Sequence, residues 1–293
     1  TRTRKRTASG RTERAGSVIK RLVKAGPRAI LVALLIAMPA LMLPGTSSDT
    51  TQMIALLALL AAMLTFVEYV SVFPSFVEFR DAPPFNRMRF LTLFLTIVTL
   101  TLVSRGQGEP NGLSALLTAV GGQLGLLLDF PFSPVRLMLL TLPADAPETL
   151  QQSLRTHAGL AYVISVLSTM LVWGLVHAMQ WPLRNGAFNF WVNLPLFDPT
   201  AGGDVLYRLK RDSHVNVALG FLLPFLIPAV LKAASAMMDP ISFDDPQTMI
   251  WTMTAWAFLP ASMIMRGVAL MRIAELIEEK RRRAYAQAEL LVA

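Results

Sequence analysis

Two apolar runs, HAGLAYVISVLSTMLVWGLVHAMQ at 157–180 and VNVALGFLLPFLIPAVLKAA at 215–234, decide how this chain folds. Lys232 is the only Lys, Arg, Asp or Glu in either run. Each is long enough to cross a bilayer core of about 30 Å at about 1.5 Å per residue. The connection between them, 181–214, is polar and aromatic, the longest interruption between clear hydrophobic runs. The chain therefore reads as an all-α, polytopic integral membrane bundle.

Working outward, four more runs of the same kind appear, giving spans at about 27–43, 52–73, 88–104, 157–180, 215–234 and 248–270. Pro27 suits a helix start and Pro44-Gly45 a helix end. The first run lacks a small-residue cleavage site, so it reads as a retained helix. Residues 113–142 are apolar but broken by Asp129, Pro131, Pro134 and Arg136, and they read as a membrane-associated or re-entrant hairpin. On that hairpin Ser114, Thr118, Gly121, Gly122 and Gly125 share a face suited to close packing on a neighbouring helix. Before the spans lies a basic arm, 1–28, ending in a short interfacial helix. After them, 271–293 reads as a basic amphipathic helix.

Charge sets the orientation. Of 27 Lys and Arg residues, the segments on the N-terminal side of this six-span arrangement hold ten, three, four and six, while the other side keeps Arg105, Arg136, Arg155 and Lys232. Under the positive-inside rule both termini and the 181–214 loop are cytoplasmic. Arginine outnumbers lysine, and alanine and leucine dominate, a composition suited to a GC-rich bacterial gene. The expected location is a bacterial cytoplasmic (inner) membrane.

The absence of cysteine excludes disulfides and thiolate chemistry, and three histidines leave little for a metal centre. His177 and His214 fall at the cytoplasmic ends of consecutive spans and are the candidates for ligating a haem or metal, but no third ligand at recognisable spacing accompanies them. No cofactor is expected. Glu68 and Arg266 are the most embedded charges, close enough to helix ends to reach water or headgroups. The aromatics Phe188, Phe190, Trp191, Phe197 and Tyr207 suit an interfacial belt or a protein-docking surface. Lys20, Arg21, Lys24, Arg28, Arg281, Arg282 and Arg283 suit anionic lipid, which beside a membrane span is a better partner for a polybasic segment than nucleic acid.

Pro224 and Pro228 in the fifth span and Pro260 in the sixth each remove a helical hydrogen bond, and the carbonyls they free must find protein or water. With paired catalytic carboxylates, phosphate loops and nucleophile–base motifs all missing from the sequence, the expected function is non-enzymatic. It is that of a structural, accessory or assembly subunit packed against a larger membrane protein complex. A small-molecule or ion transporter using the proline-broken helices and Glu68 is the alternative. A membrane enzyme or redox protein acting on a lipid or quinone, with His177, His214 and Asp212 at the cytoplasmic face, is a third.

Overall fold

A computed structural model of the chain describes residues 2–179, 181–182, 188–198, 200, 202–235, 237 and 241–292, with side chains between 21 and 290 of these. Among the described residues the protein is all-helical, and six helices are long and apolar enough to cross a membrane. It is a multi-pass membrane protein. The chain divides into two compact units, residues 1–83 with 188–198, and residues 84–187 with 199–293.

In the first unit α1 (Arg2–Met42) and α2 (Ser48–Val70) form a hairpin. Ser47 caps α2 by accepting the Thr50 amide at 3.1 Å. The turn before it uses Gly45 at φ +77°, a left-handed angle that costs glycine little. Helix α1 does not start at Pro27 as the sequence suggests, but continues through it. The ring removes one hydrogen bond, to the Val23 carbonyl. The adjacent Lys24 carbonyl accepts the Arg28 guanidinium. Ala25 and Ala29 bury their small side chains on the same turns.

In the second unit α9 (Pro246–Val292) is the central column, packing on α3 (Phe85–Gly108), α6 (Glu148–Ala178) and α8 (Val205–Ala234). It runs without a break beyond the span expected at 248–270, so 271–292 is not a separate helix. After Pro260 no proline interrupts it, and Glu275, Glu278 and Glu279 precede Lys280–Arg283 at spacings that support helix. Close approach of α8 and α9 depends on Gly220 and Gly267: a Cβ at Gly220 would lie 2.7 Å from the Pro260 carbonyl oxygen, and one at Gly267 2.9 Å from that of Ser213. The carbonyl freed by Pro228, that of Pro224, accepts the indole N–H of the buried Trp256 at 3.0 Å. Protein satisfies it, as the missing helical donor requires.

Helix α4 (Gly112–Leu128) lies across its neighbours. Near its start, Ser114 sits against Gly106 of α3, where a Cβ would be only 2.5 Å away. That turn of α3 is level with the first turns of α6, joined by Ser104–His157 and Gln107–Ser153 at 2.8 Å each. Eleven residues later, Gly125 rests against Arg155 and Gly159 of the same part of α6. Those eleven residues rise about 16 Å along α4, while the level on α6 moves by only a few residues. The hairpin therefore stays at the end of the bundle where α3 finished. Asp129 holds it there with Arg155 at 2.9 Å and Arg136 at 3.2 Å, and Lys232 of α8 donates to the Leu142 carbonyl at 3.2 Å. The short α5 (Pro134–Leu139) completes the hairpin.

Candidate docking platform

A polar construction in the first unit begins with Glu68, in the last turn of α2 and 4% exposed. Its carboxylate accepts the Ser75 amide with both oxygens at 2.9 and 3.0 Å, the Phe76 amide at 3.2 Å and the Val77 amide at 3.1 Å. Successive backbone amides form a concave anion-binding nest, filled here by the chain's own carboxylate. Arg80 supplies the opposite charge. Its guanidinium donates to the carbonyls of Glu68 and Ser71 at 2.8 Å each and of Val72 at 3.1 Å, closing carbonyls that a helix C-terminus leaves without partners. One acid and one base thus fix the loop that follows α2.

Onto this loop docks the segment 188–198, more than a hundred residues later. Phe79, buried at φ +53°, donates its amide to the Asn193 carbonyl at 2.6 Å. The Asn193 side chain accepts the Asp81 amide at 2.9 Å and donates to the Asn189 carbonyl at 3.0 Å. A single turn of helix, α7 (Phe190–Asn193), is capped by Asn189, and Leu194 and Phe197 are buried beneath it. The φ of Phe79 is unfavourable by about 1–3 kcal/mol for a residue other than glycine. Burial of its ring and two backbone bonds hold it in place.

The aromatic candidates divide accordingly. Phe188, Phe190 and Phe197 pack on one another, with centroids 5.2 Å apart for the first pair and 6.0 Å for the second. Phe197 is buried, and Phe188 and Phe190 are half-buried. Trp191 points outward at 52% exposure, and Leu196, Phe73 and Phe76 are exposed as well. Tyr207 belongs to α8, in the other unit, and is also exposed.

The remaining candidates lie apart from this construction. His177 is exposed, lies tilted against Trp173 with ring centroids 4.8 Å apart and directs Nδ1 to the Trp173 carbonyl. His214 is exposed on α8, a helix that among the described residues does not pack on α6. The two histidines are not brought together, and no group of three His, Asp or Glu residues able to hold a metal occurs among the described residues. Arg266 is half-buried on α9, one turn past Ser262, which accepts Arg89 at 2.6 Å.

Arg281 pairs with Asp204 at 2.8 Å and Arg283 with Glu279 at 3.6 Å, while Arg282 is exposed. The hydrogen bond from Arg281, with that from the Leu206 amide, holds the Asp204 carboxyl below its ordinary range. Arg21, Lys24 and Arg28 lie on α1, and Lys20 falls outside the described side chains.

One feature had no distinguishing signal in the sequence. His157, fully buried, sits between α3 and α6 with Nε2 2.8 Å from the Ser104 hydroxyl and Nδ1 2.7 Å from the Ser153 carbonyl. Only the i to i−4 spacing of Ser153 and His157 hints at half of this arrangement. Comparison with protein-family models, curated proteins and solved structures found no match to this chain.

Proposed function

We propose that the chain is a non-enzymatic accessory or assembly subunit of a larger membrane protein complex, and that it docks through the platform built on Glu68, Arg80 and Asn193. The observation that carries this reading is the outward set Trp191, Leu196, Phe73 and Phe76, held on a rigid base of buried polar contacts. Exposed aromatic and aliphatic side chains on a pre-formed base resemble the anchors in which interface energy concentrates, because little conformational freedom is lost when they bind. We place the platform and both termini on the cytoplasmic side of a bacterial inner membrane, on the strength of the Lys and Arg asymmetry.

Two contacts support this reading over that of a transporter. The Glu68 carboxylate is engaged by its own loop, and the carbonyl freed by Pro228 is engaged by Trp256.

Purification in mild detergent with lipid tests the docking. The native protein should migrate with a stoichiometric partner, and Trp191→Ala should release that partner without lowering the melting temperature. A native protein running alone, or a Trp191→Ala variant that keeps its partner undiminished, would end the proposal. Orientation is tested by Gly202→Cys, in open space and in a chain without other cysteines. Labelling by an impermeant thiol reagent from outside intact cells would reverse the assignment.

A further inference from the structure

The basic residues of α1 are arranged differently from those at the C-terminus. Arg21, Lys24 and Arg28 fall three and four residues apart, on one face of α1 beside the buried Ala25 and Ala29 that pack the hairpin. Arg28 is fixed twice: its guanidinium donates to the Lys24 carbonyl and lies 4.6 Å over the ring of Tyr69, in the last turn of α2. That contact aims a cation without neutralising it. The acid at this end of α2, Glu68, is held by Ser75, Phe76 and Val77. Lys24 is exposed and Arg21 half-exposed, so the stripe is open to one side.

Depth matters as much as charge. Counting about twenty residues for the hydrocarbon core back from Leu43 puts Lys24 at its edge, with Arg28 just inside and Arg21 about 5 Å beyond. The stripe climbs about 10 Å from Arg28 to Arg21, through the layer where lipid phosphates lie. By contrast, Arg281 stands fourteen residues past Gly267, about 21 Å along α9, and is already paired with Asp204.

We infer that Arg21, Lys24 and Arg28, with Tyr69 as the brace for Arg28, form a discrete site for the phosphate of an anionic phospholipid headgroup. The arginine forks suit phosphate oxygens and Lys24 adds a mobile point charge. The stripe also exceeds the span of a single phosphate, so it can take a headgroup carrying two. This site is independent of any protein partner.

The test uses the full chain, purified in mild detergent and mixed with phosphatidylglycerol or phosphatidylcholine, with bound lipid counted by native mass spectrometry. Phosphatidylglycerol should be retained and phosphatidylcholine lost. At about 1 kcal/mol for each basic residue near the surface, Lys24→Gln with Arg28→Gln should weaken retention about 30-fold. Arg28→Lys, which keeps the charge, should weaken it much less, and an unchanged melting temperature would show that the double variant is folded. If that variant melts early, Lys24→Gln alone, with a roughly fivefold loss, carries the test. Equal retention of the two lipids, undiminished binding by the folded variants, or an equal loss from Arg282→Gln with Arg283→Gln would overturn the site. Displacement of phosphatidylglycerol by an equal concentration of glycerol phosphate would also overturn it, as the mark of a soluble ligand.

Discussion

Gly122 and Gly125 occupy neighbouring turns of one short helix, yet alanine should have opposite effects at the two. At Gly125 a Cβ would lie 2.5 Å from the Arg155 carbonyl oxygen and 2.8 Å from its Cγ, so backbone, not a flexible side-chain end, must move. At Gly122 the nearest atom is the Thr156 hydroxyl at 3.9 Å, an ordinary contact. Replacing glycine by alanine inside a helix is intrinsically favourable by about 1 kcal/mol. Overpacking a close contact costs about 1–3 kcal/mol, and displacing Asp129 from Arg155 adds to that. Gly122→Ala should therefore be neutral or up to about 1 kcal/mol more stable, and Gly125→Ala less stable by up to about 2 kcal/mol net. Reversible unfolding in mixed detergent micelles, followed by circular dichroism, reads both differences against the native chain. Gly159→Ala, whose Cβ would meet the Gly125 backbone at 2.6 Å, should behave like Gly125→Ala. Equal stabilities for the two α4 variants would refute the placement of α4 across α6, and with it the reason the hairpin stays at one end of the bundle.

Three further outcomes follow from single contacts. Trp256→Phe leaves the Pro224 carbonyl buried without its donor and should cost about 1–3 kcal/mol by the same assay, with Pro228→Ala restoring a backbone donor and recovering most of the loss. A Trp256→Phe defect that Pro228→Ala fails to relieve would mean that lost ring packing is the cause. Glu68→Gln keeps the shape of the side chain but removes the charge that three amides face. It should cost about 2 kcal/mol and speed hydrogen exchange at 75–77, and unchanged exchange there would show that the nest is not a constraint. The Asp204 carboxyl is held below its ordinary range, so its contribution to the α8–α9 contact is present above that range and is lost as pH falls through the lowered value. Melting temperatures of the native chain and Asp204→Asn should differ at neutral pH and converge in acid, and a gap that persists in acid would contradict the assignment.

How much of this was legible in the sequence depends on how far each constraint reaches along the chain. Hydrocarbon excludes charge over whole helices, so the six spans could be read from composition, and charge asymmetry suggested that 113–142 turns back. The small face of α4 was visible as spacing, but spacing alone could not separate Gly121 and Gly125, which press on α6, from Gly122, where a Cβ would make only an ordinary contact with Thr156. That distinction depends on the crossing direction of two helices. Helix ends were least legible at proline: Pro27 removes one hydrogen bond from α1, and the helix continues through it.

The platform was hidden for a different reason. Asn193 and Asp81 are 112 residues apart, and nothing local marks either as half of a pair. An aromatic-rich loop reads the same whether its rings face inward or outward, and only the fold shows that Phe190 and Phe197 pack within it while Trp191 does not. Glu68 shows the general point: an embedded carboxylate suggests transport until the loop seven residues on wraps three amides around it. Desolvation makes such a charge costly wherever it stands. The same cost is met by a substrate path or by a structural nest, so the charge alone cannot distinguish them. What does distinguish them is the partner of each oxygen, and here both oxygens of Glu68 accept from the loop that the platform is built on.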